Sequence, residues 1–267
     1  MGVKVKLNIL VLIYVIPQLS LADCLVKVGV EDFFPQSYLH SSGHWQGMNI
    51  ELAEALLDTI NCTPDYTTIP RKRALHLMMN GEIDMLLNVS ITEERKQGMY
   101  FIGPQQNEAI VLGIDEDSKF SISSIDDLTH LGGLISIQRG AHYGDEFSLK
   151  LENEPDFSHY FVTVNGNKDK IKLLNLGRTI GFLEEYYQLR HAIAIHPEYK
   201  NVKIHPFVIH TNLVYFAFSK KSIKPDVYLS LKIGFEKAKE SGSFLKIINK
   251  YNRVDVPIEG EPTGDFK

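Results

Sequence analysis

The chain is poor in the residues that announce a ready-made chemistry. It has two cysteines and one tryptophan in 267 residues, which excludes a disulfide-dense scaffold. Past residue 22 no apolar stretch approaches the roughly 18 residues that a membrane-crossing helix needs. Lys and Arg number 28 against 33 Asp and Glu, so the net charge is −5. That balance argues against nucleic acid or an anionic lipid surface as a partner. No G-x-x-x-x-G-K-[ST], G-x-S-x-G, H-E-x-x-H or EF-hand pattern occurs, so the common nucleotide, acyl-transfer and metal signatures are missing. Ten histidines invite a metal reading. His40 and His44, however, are separated by Gly43 in a loop and lack a third ligand, so no metal and no cofactor is expected.

What is present begins with an export signal. Lys4 and Lys6 precede an apolar run over 9–16, then Pro17 and Ser20-Leu21-Ala22, the layout of a cleaved signal peptide over 1–22. The whole chain is 44% hydrophobic and close to the length at which a single core divides, so two lobes are expected.

The chain is organised around 81–104, GEIDMLLNVSITEERKQGMYFIGP. Residues 83–89 form an apolar run after a glycine, which reads as a strand buried on both faces. Ser90 and Thr92 stand where a helix would start, followed by Glu93, Glu94 and Arg95. A guanidinium beside a helix start at the carboxyl end of a strand can grip a carboxylate bidentately. Taken alone, the same S-x-T-x-x-R fits an ordinary surface ion pair better. Apolar spacing adds helices at 49–60, 71–80, 168–176, 227–239 and 244–251, and strands at 25–30, 65–69, 108–114, 134–138, 161–164 and 213–219. Residues 40–45 read as a polar turn.

G-E-I-D, an apolar strand, S-I-T-x-x-R and an aromatic segment ending in Gly103-Pro104, together with Gly47-Met48-Asn49-Ile50-Glu51-Leu52-Ala53, resemble the extracellular solute-binding proteins of family 3. These are the periplasmic receptors of polar amino acid importers. The likeness covers about 25–251. It implies an α/β fold of two lobes, each with a mainly parallel sheet and helices on both faces, joined by two crossing strands. Lobe 1 would hold 23–107 and 211–251 and lobe 2 would hold 108–210, with crossings at 105–107 and 204–212 and a tail at 252–267.

For the site, the resemblance implies a small carboxylate-bearing ligand held by Arg95 with Ser90, Asn88 and backbone N–H groups. Gly140 and Ala141 would offer such N–H groups from lobe 2, with His142 replacing the usual hydroxyl and adding a pH-sensitive donor. The ligand's amine would meet Glu31 or Glu185, the latter exchanging with Glu184 if the register slips by one. Phe34, or Phe33 in a loop one residue short, would stack on the ligand, with Trp45 as a second cover. Arg73 and residues 210–212 lie near the cleft. Asn49, His142, Ile180 and Glu185 depart from the family pattern and point away from an ordinary α-amino acid.

The family sets the strands that follow Cys24 and Cys62 side by side, which implies a Cys24–Cys62 disulfide. Asp23 speaks against a lipid on Cys24. The expected protein is a monomeric periplasmic receptor, not an enzyme, that hands an amino acid-like ligand to a membrane ABC permease. Two rivals remain at this stage: a cyclohexadienyl dehydratase-like enzyme with Glu185 as its acid, and a receptor for a membrane signalling protein.

Overall fold

The structure is a computed structural model and describes residues 24–251. The expected signal peptide and C-terminal tail lie outside the described residues. Strand β1 (Cys24–Val30) leads through a small hairpin, β2 (Tyr38–Leu39) and β3 (Trp45–Gln46), to α1 (Met48–Asp58). Then follow β4 (Cys62–Thr68), α2 (Arg71–Asn80), β5 (Met85–Ser90), α3 (Glu93–Gly98) and β6 (Met99–Asp115). The second lobe contains β7 (Ile135–Gln138), α4 (Asp145–Asn153), α5 (Pro155–Ser158), β8 (Phe161–Val164), α6 (Asn167–Asn175), β9 (Gly181–Glu185) and α7 (Tyr186–Ile195). Strand β10 (Val202–Ser219) returns to the first lobe, closed by α8 (Pro225–Glu240) and α9 (Ser243–Tyr251). Among the described residues no helix is long and apolar enough to cross a membrane.

The two lobes share one eight-stranded sheet in the order β4-β1-β5-β10-β6-β9-β7-β8. The separate sheets expected from sequence are fused because the crossings are not connectors. They are interior stretches of β6, 17 residues long, and β10, 18 residues long. These two strands pair antiparallel along their length, with register shifts between Ile204 and Val208, Val208 and His210, and Val214 and Phe216. Continued pairing satisfies backbone groups that a broken connection would leave to solvent, and the irregularities bend the ribbon between the lobes. On either side the pairings are parallel: β1 with β4 and β5, β7 with β8 and β9.

All six residues of β5 are buried, as its apolar run predicts. On one face of the first lobe, Val26 and Val28 pack with Leu52 and Leu56 of α1 and with Phe216, Leu231 and Phe235. On the other, Leu86 and Val89 meet Ala74 and Met78 of α2. The second lobe repeats this with Ile135, Phe147 and Phe161 on one face, and Phe182, Leu189 and Ala192 on the other. Helix α2 stops at Gly81, whose φ of 81° a residue without Cβ adopts freely.

Cys24 and Cys62 are directly opposite in the β1–β4 register and form a disulfide with Cα atoms 4.5 Å apart. Pairing from that point explains why β4 begins three residues earlier than its apolar pattern indicates. The bridge closes a sequence separation of 38 residues. The double variant Cys24→Ser, Cys62→Ser should therefore lose about 3–4 kcal/mol of stability in denaturant unfolding. An unchanged midpoint would show that the parallel pairing alone fixes this edge.

Candidate functional site

Four strands of the shared sheet end at one place: β1 at Val30, β5 at Ser90, β7 at Gln138 and β9 at Glu185. In open α/β sheets the carboxyl ends of strands are where ligands sit. Here they enclose, over β6, a chamber of about 70 Å³ between the lobes, room for a few water molecules. Arg71, Arg95, Glu31, Glu108, Glu184 and Glu185 supply its charge.

Thr92 caps α3 by accepting a hydrogen bond from the Arg95 amide at 3.2 Å, which turns the Arg95 side chain inward. Its Nη1 donates to the Ser90 carbonyl at 2.8 Å, and its Nη2 donates across the lobes to the Gly140 carbonyl at 3.1 Å. Burial, and then the neighbouring Arg71, lower its pKa to about 10. Arg71, in the first turn of α2, donates from Nη1 to the Leu87 carbonyl at 3.0 Å and from Nη2 to the Asn88 carbonyl. Among the described residues neither guanidinium forms an ion pair, and each spends these bonds on main-chain carbonyls.

The acids are held in different ways. Glu31 accepts from Gln138 Nε2 across the lobes at 2.9 Å, and burial raises its pKa against the pull of Arg71. Glu184 forms a buried ion pair with Lys170 at 2.6 Å, and Lys170 also donates to the Leu183 carbonyl at 2.8 Å. Glu185 is the N-cap of α7: it accepts from the Tyr187 and Gln188 amides at 3.0 and 2.8 Å, and from Gln36 Nε2 at 3.0 Å. Burial, reinforced by Glu108, pushes Glu185 up to about 8 despite those donors. Glu108 on β6 is 9% exposed, and burial raises it to about 7, opposed by Arg71 and Arg95.

An amide chain ties this chamber to the hinge. Asn49 Nδ2 donates to Gln36 Oε1 at 3.2 Å, and Gln105 Nε2 donates to Asn49 Oδ1 at 2.6 Å. The Asn88 amide donates to Gln105 Oε1 at 3.2 Å, and Gln106 Nε2 donates to Asn88 Oδ1 at 2.9 Å. Asn49 acts here as donor and acceptor together, a role closed to the aspartate of the family pattern. Asn88 holds φ at 55°, a left-handed conformation that asparagine tolerates better than most side chains.

Of the residues named from sequence, Arg95, Ser90, Asn88, Glu31, Ala141, His142 and Glu185 line the chamber. Phe34 does not. It packs on Tyr38, with ring centroids 4.8 Å apart, and across the lobes on His196 at 5.8 Å and His191 at 6.1 Å. Phe33, the shorter-loop alternative, takes the lining place. Trp45 packs against the first lobe's core. Gly140 stands just outside the chamber: its carbonyl accepts from Arg95, and with φ of 84° it lies so close to α2 that a Cβ would come 3.0 Å from Lys72 Cα. His142, which burial and Arg95 hold below the ordinary imidazole pKa, is neutral at pH 7 and brings no charge. Arg73 is exposed, while Arg71, two residues earlier, reaches the chamber. Asn212 donates to Ser90 Oγ at 2.9 Å. Gln36, Arg71, Glu108, Gln138 and Lys170 escaped the sequence reading. Only Arg71 carried a signal, its place at the start of a helix beside a strand end.

The family model described as bacterial extracellular solute-binding proteins, family 3, matches residues 26–254. The chain belongs to this family. A curated relative, "Probable histidine-binding protein" of Neisseria gonorrhoeae, is 26% identical over 226 residues, 82% of this chain and 80% of the relative. A crystal structure of a mutant ArgBP from T. maritima superposes with a TM-score of 0.73 at 20% identity, covering 85% of this chain and 95% of that one. A histidine kinase sensor domain with similarity to periplasmic binding proteins gives 0.73 at 17% identity, covering 88% and 98%. This solute-binding protein thus has the periplasmic-binding-protein-like α/β fold, with its chamber between the lobes.

The Gly140 carbonyl is the point at which Arg95 bonds across the lobes. Gly140→Ala would place a side chain against Lys72 with φ still positive, at a cost of about 1–3 kcal/mol. The expected result is a lower unfolding midpoint and a larger radius of gyration by X-ray scattering, as the lobes part. No change in either would show that they do not meet here in solution.

Proposed function

We propose that this protein is a periplasmic receptor for a small amino acid-like ligand, closing its lobes on the ligand and presenting it to a membrane ABC permease. The observation that carries this reading is Arg95. It sits half-buried at the start of α3, with two of its five N–H donors used on carbonyls and the rest available to a carboxylate. Glu31, facing it from the end of β1, supplies the opposite sign for the ligand's ammonium. The printed names of the relatives, histidine-binding and ArgBP, agree with such a ligand, and the family's description as extracellular agrees with export. A monomer is sufficient for this role.

A signalling receptor is the second reading, favoured by the likeness to a kinase sensor domain. Purifying the membrane partner separates the two, because a permease and a kinase are different proteins. The dehydratase reading is weakened by the placement of its acid: the Glu185 carboxylate, although it lines the chamber, already accepts three N–H bonds, two of them as a helix cap.

A thermal-shift screen of the mature chain with amino acids tests the proposal. A bound ligand at 100 times its dissociation constant should add about 2.7 kcal/mol of stability. Arg95→Ala should abolish that gain while the unliganded protein stays folded. Full retention of ligand-induced stabilisation in the variant would remove Arg95 from the site.

A further inference from the structure

The loop 31–37 of the first lobe reaches the second lobe along its whole length. Glu31 accepts from Gln138 Nε2 at 2.9 Å, and Gln36 Nε2 donates to Glu185 at 3.0 Å. Asp32 pairs with Lys168 of α6 at 2.9 Å. Between these, the Phe34 ring crosses to α7 and stands edge-on to His191 and His196, with centroids 6.1 and 5.8 Å away and interplanar angles of 67° and 83°. This is the T-shaped geometry that aromatic rings favour. Tyr38 backs the ring from its own lobe at 4.8 Å. The socket is fixed on the far side: His191 is buried and donates from Nδ1 to the Tyr187 carbonyl at 2.9 Å, and the His196 ring lies 6.3 Å from that of buried Tyr199.

The loop is a stiff part of the first lobe. Phe33 and Ser37 exchange backbone hydrogen bonds of 2.7 and 2.9 Å, and the Gln36 carbonyl accepts from the Asn49 amide of α1 at 2.8 Å. It therefore leaves the second lobe as one body when the lobes part. What replaces each contact then differs. Water substitutes for the polar partners, and the exposed Asp32–Lys168 pair is weak from the start. The half-buried Phe34 ring has no such substitute, because parting the lobes moves its apolar surface and that of the socket into water. Phe33, not Phe34, lines the chamber, so this contact is indifferent to what the chamber holds.

We propose that loop 31–37 is a latch with Phe34 as its bolt, and that it holds the lobes together before any ligand arrives. Because the latch favours the closed form equally with and without ligand, it sets the balance between open and closed without taking part in recognition. A ligand then enters only when the ring leaves its socket. The latch goes beyond the receptor reading and does not depend on it: it belongs to the fold, whichever membrane protein is the partner.

Small-angle X-ray scattering of the mature protein, dialysed free of solute, reads the latch directly. Phe34→Ala should shift the radius of gyration upward from the wild-type value, while circular dichroism shows both proteins folded. A ring that only packs within the first lobe would lower the melting temperature and leave the radius unchanged. His196→Ala empties the socket from the opposite lobe and should give the same upward shift. The double variant should shift no further than either single one, because both remove the same contact. An unchanged radius in folded Phe34→Ala overturns the inference, and so does a double variant whose shift is the sum of the two. Should Phe34→Ala fail to fold, an unchanged radius in His196→Ala overturns it equally. None of these failures touches the Arg95 grip, which the thermal-shift screen reads separately.

Discussion

The antiparallel ribbon of β6 and β10 is the constraint on which the rest depends. Because both strands run through both lobes, the lobes are halves of one sheet, and any movement between them must bend this ribbon. Its register shifts at Val208, His210 and Phe216 mark where bending is least costly, since ladder hydrogen bonds are already interrupted there. The same stretch carries Gln105, Gln106, Glu108 and Asn212, all of which contribute to the chamber or its amide network. Hinge and chamber floor are therefore one object, and the geometry of the site is coupled to the angle between the lobes by covalent chain.

A second theme is the management of buried charge. Seven ionisable groups crowd a space the size of a few waters, an arrangement that is costly unless each ion is hydrogen-bonded or paired. The protein meets this by giving each guanidinium two carbonyls at strand ends, giving Glu184 a lysine and giving Glu185 a helix start. Parallel strands make this possible. Their carboxyl ends present unused carbonyls, and the helices that follow present unused N–H groups. The two guanidiniums thus sit against β5, while Lys170 sits against β9 and an anion caps α7 after that strand.

Local chemistry was legible in the sequence wherever a short pattern decides it. The 71–80 helix and its glycine stop, the fully buried β5 and the Thr92 cap follow from spacing and capping, whereas for Arg95 spacing alone favoured a surface ion pair and only the family resemblance pointed inward. The fusion of the lobes into one sheet was not legible. Residues 105–107 and 204–212 read as strands crossing between two separate sheets, and only their mutual pairing within β6 and β10 joins those sheets into one. Glu108 and Lys170 stayed hidden for a related reason. A charged residue inside a strand or helix normally faces solvent, and nothing local says that a partner or a chamber awaits it. The aromatic in the β1 loop was misplaced by a single residue because alternation fixes which of two neighbours points inward only once the loop's own turn is known. There the Phe33 and Ser37 backbone bridge decides, aiming Phe33 at the chamber and Phe34 at α7.

The closed arrangement is itself held by bonds that a ligand must respect. Arg95 to Gly140, Gln138 to Glu31 and Gln36 to Glu185 all cross between the lobes, and each buried bond contributes about 0.5–1.5 kcal/mol net. The exposed Lys168–Asp32 pair adds little beside them. A ligand shifts the balance toward closure only through the difference between its contacts in the closed and open forms. Two of the three crossing bonds involve the residues assigned to grip the ligand, Arg95 and Glu31. Occupancy therefore either preserves those bonds and adds to them, or replaces them and gains less. The spare N–H groups of Arg95 favour addition, because they offer contacts that no lobe-to-lobe bond already uses.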